Sequence, residues 1–218
     1  MEGKILELPR LVRRQLFQKC NLITIEEFDT LVRHKDSVVG ERTGATTIHE
    51  DGSITIDTSF KYDTASKPTF KDYRVSKDAI FNFKFDIEHF RPLLGDPFIP
   101  VLTATQNALI EFGVKNPRPY TCRAYRNNKT TKWHRHYMLP NTPRDKFWVT
   151  IYYMHPNWDI KYGGDIRIGV TEELDLLKVP CYSNSMVAHD GYFGHGVDEI
   201  TLGYEGNRDI FATHWISD

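Results

Sequence analysis

The residues best able to do chemistry lie in the last hundred positions, around Trp133-His134-Arg135-His136-Tyr137. Two histidines two apart on an extended chain point to the same face. A third imidazole, His195, sits in Gly194-His195-Gly196-Val197, and Arg208 follows in Asn207-Arg208-Asp209-Ile210. Imidazole suits iron, copper and zinc, and the planar guanidinium fork suits a carboxylate. The pattern reads as a metal site of His134, His136 and His195 beside an anion site at Arg208. Tyr153 or Tyr152 could give the same carboxylate a phenolic hydrogen bond. Each feature has an ordinary alternative. With nine histidines in the chain an accidental pair is unremarkable, and an arginine near a C-terminus is commonly a solvated charge.

Ligands so far apart in sequence need strands of a small barrel to bring them together. His134 and His136 are expected on one face of one strand, and His195 on a strand across the barrel. The sequence supplies short β segments at Tyr120–Tyr125, Trp133–Met138, Phe147–Met154, Asp165–Val170, Ser185–His189, Gly194–Ile200 and Arg208–Trp215. Phe147–Met154 is so rich in aromatic and β-branched residues that it fits a strand buried on both faces. Seven or so short strands in about a hundred residues imply a sandwich or barrel.

The first part of the chain reads differently. Leu8, Leu11, Val12 and Leu16 recur at helical spacing from Pro9 to about Lys19. A second helix starts at Thr24, with Glu27 as capping-box partner and Phe28, Leu31 and Val32 as its apolar stripe. Ser53–Asp57 alternates like a strand after an Asp-Gly turn. Phe60–Val75 reads as a long loop, and residues 57–78 as a substrate lid. Pro100–Phe112 is a helix that backs a sheet, with Gly113 at its C-terminal cap. Residues 1–117 form the helical and supporting part and 118–218 the β core, within a single domain.

Composition bounds the function. In 218 residues, 40% hydrophobic, there is enough for a substantial core, and 28 basic residues nearly balance 29 acidic ones. No global charge argument for nucleic acid or membrane follows, although nucleic acid as substrate stays open. Cys20, Cys122 and Cys181 are too few and too scattered for a disulfide framework or a zinc ribbon. There is no apolar run of transmembrane length and no secretory signal core, so a cytoplasmic protein is expected.

The order of features resembles the iron(II)- and 2-oxoglutarate-dependent oxygenases, within them the prolyl 4-hydroxylase-like group. The resemblance is carried by Thr150-Ile-Tyr-Tyr-Met-His-Pro-Asn-Trp158-Asp159 with Gly163-Gly164-Asp165-Ile166-Arg167-Ile168, by Cys122-Arg-Ala-Tyr125 ahead of His134, and by Asp190, His195, Arg208 and Trp215 in that order. It covers about residues 118–218. It implies a double-stranded β-helix (jelly-roll, cupin-like) core with N-terminal helices packed on one sheet. It implies Fe(2+) and 2-oxoglutarate as cofactors, O2 as co-substrate, ascorbate as a support of activity, and hydroxylation of a peptide, protein or small-molecule C–H bond with release of succinate and CO2. By position, His134 takes the first ligand place, His195 the last and Arg208 the carboxylate-binding place, with Tyr153 as helper and Tyr125 beside the cofactor.

The chain departs from the family where an H-x-D aspartate is expected and His136 stands instead. Three arrangements follow: a three-histidine site; a two-histidine site with an open position for water or a halide; or a site that has decayed or uses an acid from elsewhere, such as Asp190 or Asp145. In a shifted register Met138 takes the aspartate place. Trp148, Tyr152 and Trp158 are candidates to line the pocket, with packing the more ordinary role for each. Two other functions compete with the 2-oxoglutarate reading: a three-histidine dioxygenase that oxidises a metal-bound substrate without 2-oxoglutarate, and an inactive barrel acting as an interaction module.

Overall fold

A computed structural model describes residues 16–37, 45–49, 53–57, 69–75, 86–126, 130–136, 143–171, 175–201 and 207–218. Twelve strands are described: β1 Leu16–Cys20, β2 Ala45–Ile48, β3 Ile54–Asp57, β4 Thr69–Val75, β5 Arg118–Arg126, β6 Thr131–His134, β7 Phe147–Tyr153, β8 Ile166–Gly169, β9 Asp175–Val179, β10 Ser185–Asp190, β11 Gly194–Val197 and β12 Asp209–Ile216. They form two sheets, a large one in the order β1-β10-β7-β12-β5-β4-β2-β3 and a small one in the order β6-β11-β8-β9. From β5 onward the chain passes repeatedly between the sheets, and the strand pairs are antiparallel. This is the double-stranded β-helix anticipated from the sequence.

Helices cover the large sheet. Helix α1, Ile25–His34, opens with the expected capping box: the Thr24 side chain accepts from the Glu27 N–H, and the Glu27 carboxylate accepts from the Thr24 N–H. A run of short turns follows residue 86, including α2, Arg91–Leu94. It leads into α3, Ile99–Glu111. Helix α3 ends where the Gly113 N–H reaches the Ile110 carbonyl and the Val114 N–H reaches Leu109, with Gly113 at φ +101°. That is the paired closure that glycine at this place allows.

Strand β7 lies between the two worlds, and all its residues are buried. Trp148 meets Phe112 of the helical layer at 5.9 Å between rings. Tyr152 donates to Asn184 Oδ1 at 2.8 Å. Phe147 and Tyr153, on the alternate face, look into the barrel toward His214 and Arg208. Burial on both faces explains the unbroken aromatic and β-branched run. Trp148 and Tyr152 therefore pack under the helices and do not line the barrel interior.

Two expectations for the N-terminal part need correction. Residues 9–15 lie outside the described ones, but Leu16–Cys20 is a strand, not a helix end. It pairs along the edge of β10, where Leu16 and Phe17 are buried and Phe17 meets Phe112 at 4.2 Å. Pairing and packing override a helical spacing that was only local. Within the proposed lid, residues 58–68 and 76–78 also lie outside the described ones. Residues 69–75 form β4, hydrogen-bonded between β5 and β2, so that part of the segment is sheet. Cys20, Cys122 and Cys181 form no disulfide with one another. No helix among the described residues is long and apolar enough to cross a membrane.

Candidate functional site

Strands β6 and β11 are neighbours in the small sheet, and His134 and His195 face each other across the ladder. The expectation that His195 comes from across the barrel is therefore corrected: the two rings meet because their strands pair. Strand β6 ends at His134, so His136 is not a strand residue as expected, yet its ring turns back to the same place. Ring centroids are 4.6 Å apart for His134–His195, 4.9 Å for His136–His195 and 5.2 Å for His134–His136. One nitrogen from each ring lies within 4.8 Å of the others.

Which nitrogen each ring presents follows from its hydrogen bonds. His134 Nδ1 is 3.0 Å from the Lys132 carbonyl, and an acceptor there requires the proton on Nδ1, leaving Nε2 as the lone-pair nitrogen. His195 Nδ1 is 2.9 Å from His189 Nε2, and His189 Nδ1 is 2.9 Å from the Asp190 carbonyl. Burial pushes His189 down to about 4, against the opposing pull of that carbonyl, so the ring is neutral at pH 7. A neutral ring that donates from Nδ1 accepts at Nε2, so His195 donates from Nδ1 and keeps Nε2 for a ligand. Burial first, then the rings of His214, His195 and His134 and the Arg123 charge, hold His136 well below the usual imidazole value. Its Nε2 is buried with no hydrogen-bond partner among the described residues.

This donor set fits a divalent cation of the imidazole-binding kind. The rings converge, His136 and His189 are held neutral, and the spare nitrogens of His134 and His195 are tied back as metal-bound histidines require. Neither acid named from the sequence takes part. Asp190 Oδ1 accepts from the Tyr192 N–H in the following turn, and Asp145 is exposed. Met138 lies outside the described residues. His214 is a residue the sequence reading passed over: it enters from β12, buried between Tyr120 and Phe147, with its ring 4.4 Å from His136.

Further along the barrel lies the second group. Arg208 is 0% exposed and its guanidinium carbon is 5.2 Å from the centre of the Tyr153 ring. Gly164, at φ +72°, makes room for it: a Cβ there would come within 3.3 Å of Arg208 Cδ and Nε and 3.2 Å of Trp158 Cζ2. Trp158 is pinned by its own Nε1–H to the Gly163 carbonyl, and its ring is 4.5 Å from that of His155. Trp158 thus borders this end. Burial, joined by the Arg208 charge, pushes His155 down to about 4. His195 pairs with Ile168 and Arg208 lies against Gly164. The two contact points, Ile168 and Gly164, lie four positions apart in sequence, on β8 and the turn that leads into it. Tyr125 is in β5 opposite Ile210; its side chain lies outside the described residues.

No protein-family model matches the sequence, and no curated protein matches it significantly. Solved structures do resemble the chain. A prolyl hydroxylase from Trichoplax adhaerens, in complex with a hypoxia inducible factor oxygen degradation domain peptide fragment, matches with a TM-score of 0.54 at 13% identity, over 94% of this chain and 84% of that one. A Pseudomonas putida prolyl-4-hydroxylase matches with a TM-score of 0.50 at 10% identity, over 93% and 92%. SnoN, a non-heme alpha ketoglutarate dependent epimerase from nogalamycin biosynthesis, gives 0.58 at 8% identity, over 94% and 80%. At such identities the likeness establishes the fold, which is that of the prolyl-4-hydroxylases and related non-heme oxygenases.

Proposed function

We propose that this protein is an iron(II)- and 2-oxoglutarate-dependent dioxygenase that hydroxylates a C–H bond of a peptide substrate. The observation that carries the reading is the pairing of two groups in one barrel: three convergent imidazoles at one end and a fully buried arginine stacked on tyrosine at the other. A short dicarboxylate could be held between a cation at the one group and the guanidinium of the other. The peptide is proposed because the Trichoplax adhaerens neighbour was solved with one.

His134, His136 and His195 would hold iron through ring nitrogens. The bound iron, with 2-oxoglutarate and O2, supplies the oxidant that exchanges a substrate hydrogen for hydroxyl. The remaining work belongs to the chain. Arg208 would grip the far carboxylate in two places, and its burial strengthens that attraction by removing water. Tyr153 supports the guanidinium from below. Three neutral imidazoles subtract nothing from the charge of the cation, so the centre attracts a dianion more strongly than one with a carboxylate ligand would.

The test is succinate formation with iron(II), ascorbate and 2-oxoglutarate, with and without candidate peptides. The absence of both coupled and uncoupled turnover in iron-loaded protein would overturn the proposal. His136 in the place of an acid favours a second reading, oxidation of a substrate bound to a three-histidine metal without 2-oxoglutarate. Saturable 2-oxoglutarate binding that disappears in Arg208→Ala supports the first reading; no saturable binding supports the second.

A further inference from the structure

We infer that His189 is a positioning residue for the metal centre: it accepts the Nδ1–H of His195 and thereby turns His195 Nε2 toward His134 and His136. The inference rests on the metal reading above and extends it to a residue outside the ligand set.

The geometry is a chain of two imidazoles. The Asp190 carbonyl accepts from His189 Nδ1 at 2.9 Å, and His189 Nε2 lies 2.9 Å from His195 Nδ1. A carbonyl cannot donate, so the Asp190 carbonyl takes the hydrogen bond of His189 Nδ1–H and leaves His189 Nε2 as the atom that faces His195 Nδ1. Both rings are almost sealed from solvent, His189 at 0% and His195 at 4% exposure. Water therefore does not compete for the bond.

The scaffold holds both ends. His189 is in β10 of the large sheet, with Val149 of β7 on one side and Leu16 of β1 on the other. His195 is in β11 of the small sheet, between His134 and Ile168. The Gly191–Phe193 connection joins the two strands, and the Phe193 ring stands edge-on to His189 at 6.4 Å. The hydrogen bond thus crosses from one sheet to the other and stops the His195 ring from swinging out of line. An imidazole partner also adds no negative charge, so it orients the ligand while leaving the cation's charge intact. Losing an outer partner of this kind typically weakens metal binding 10–100-fold.

The experiment compares wild type, His189→Phe and His189→Gln as metal-free proteins. Cobalt(II) affinity is measured by competition with a chelator. His189→Phe fills similar space without an acceptor and is expected to bind cobalt about 10–100-fold more weakly. His189→Gln keeps an acceptor oxygen and is expected to stay near wild type. Unchanged binding in His189→Phe, or equal losses in both variants, overturns the role of His189. Ring-nitrogen NMR of the metal-free wild type gives a second, variant-independent measure: protons on Nδ1 of both His189 and His195 support the inference, and an Nε2–H tautomer of His195 overturns it. Failure of wild type to bind cobalt overturns the metal reading itself, and the tautomer measurement then decides the hydrogen bond alone.

Discussion

His134 and His195 stand directly opposite one another on β6 and β11, so the first and last candidate ligands share a single ladder. Their separation is set by strand pairing and not by loop conformation. His136 is different. It lies two residues beyond the end of β6, and its place is fixed by contacts of its ring with His134, His195 and His214.

That asymmetry predicts how the ligands respond to substitution. His134→Ala removes a ladder-held donor and should weaken divalent metal binding by more than the roughly 100-fold that loss of an outer partner costs. His136→Asp should retain binding and shift preference from copper and zinc toward manganese and iron, because a carboxylate is the harder ligand. Metal content after dialysis against mixed metals, measured by elemental analysis, checks both. An unchanged preference in His136→Asp would mean that residue 136 does not touch the metal.

Arg208 should be needed as a fork and not merely as a charge. Arg208→Lys keeps the charge but loses the second hydrogen bond and the stacking on Tyr153. Its affinity for 2-oxoglutarate should fall about 10–100-fold, the worth of one hydrogen bond to a charged group. Calorimetry on protein loaded with a redox-inert metal reads this directly, and equal affinity in wild type and variant would contradict it.

Gly164→Ala tests the same pocket from the opposite wall. The new Cβ meets Arg208 and Trp158 at 3.2–3.3 Å, at a residue with φ of +72°. Backbone strain of about 1–2 kcal/mol is expected, together with weaker 2-oxoglutarate binding as the guanidinium is displaced. Thermal melts with and without ligand separate the two effects.

Acid stability should depend on Asp209. Burial acts to raise this carboxyl, but the hydrogen bonds from Arg126 and Lys35 outweigh it and hold it below 3.8. A depressed carboxyl contributes stability that is complete above pH 3.8 and disappears as pH falls through the lower folded value. Melting temperature should therefore fall steeply below about pH 4 in wild type. Asp209→Asn should flatten that fall and lower stability at neutral pH, because buried Lys35 then keeps only the Asp36 carboxylate, at 3.5 Å. Parallel acid slopes for the two proteins would refute this.

The capping box at Thr24, the helix ending at Gly113 and the doubly buried β7 were all legible, because each is encoded over a few neighbouring residues. Strand β1 was not: Leu16-Phe17-Gln18-Lys19-Cys20 acquires its state from the edge of β10. Strand β4 is likewise sheet only through β5 and β2. At the site, the histidine spacing and Arg208 were readable. His189 and His214 were not, since an isolated histidine in a buried strand looks like any core residue. The one available signal was period-two alternation, which sets His189 apart from Asp190 and His214 apart from Trp215.

Strand β1 also has a bearing on how the chain assembles. It arrives from the opposite end of the sequence to seal the free edge of β10. Until that long-range closure is made, β10 presents an unsatisfied backbone rim to other molecules. A shortened protein starting after Cys20 would expose that rim permanently, and its failure would be self-association into insoluble material while the C-terminal sequence was still entire. Such late, distant pairing also places this protein among the slower folders for its size.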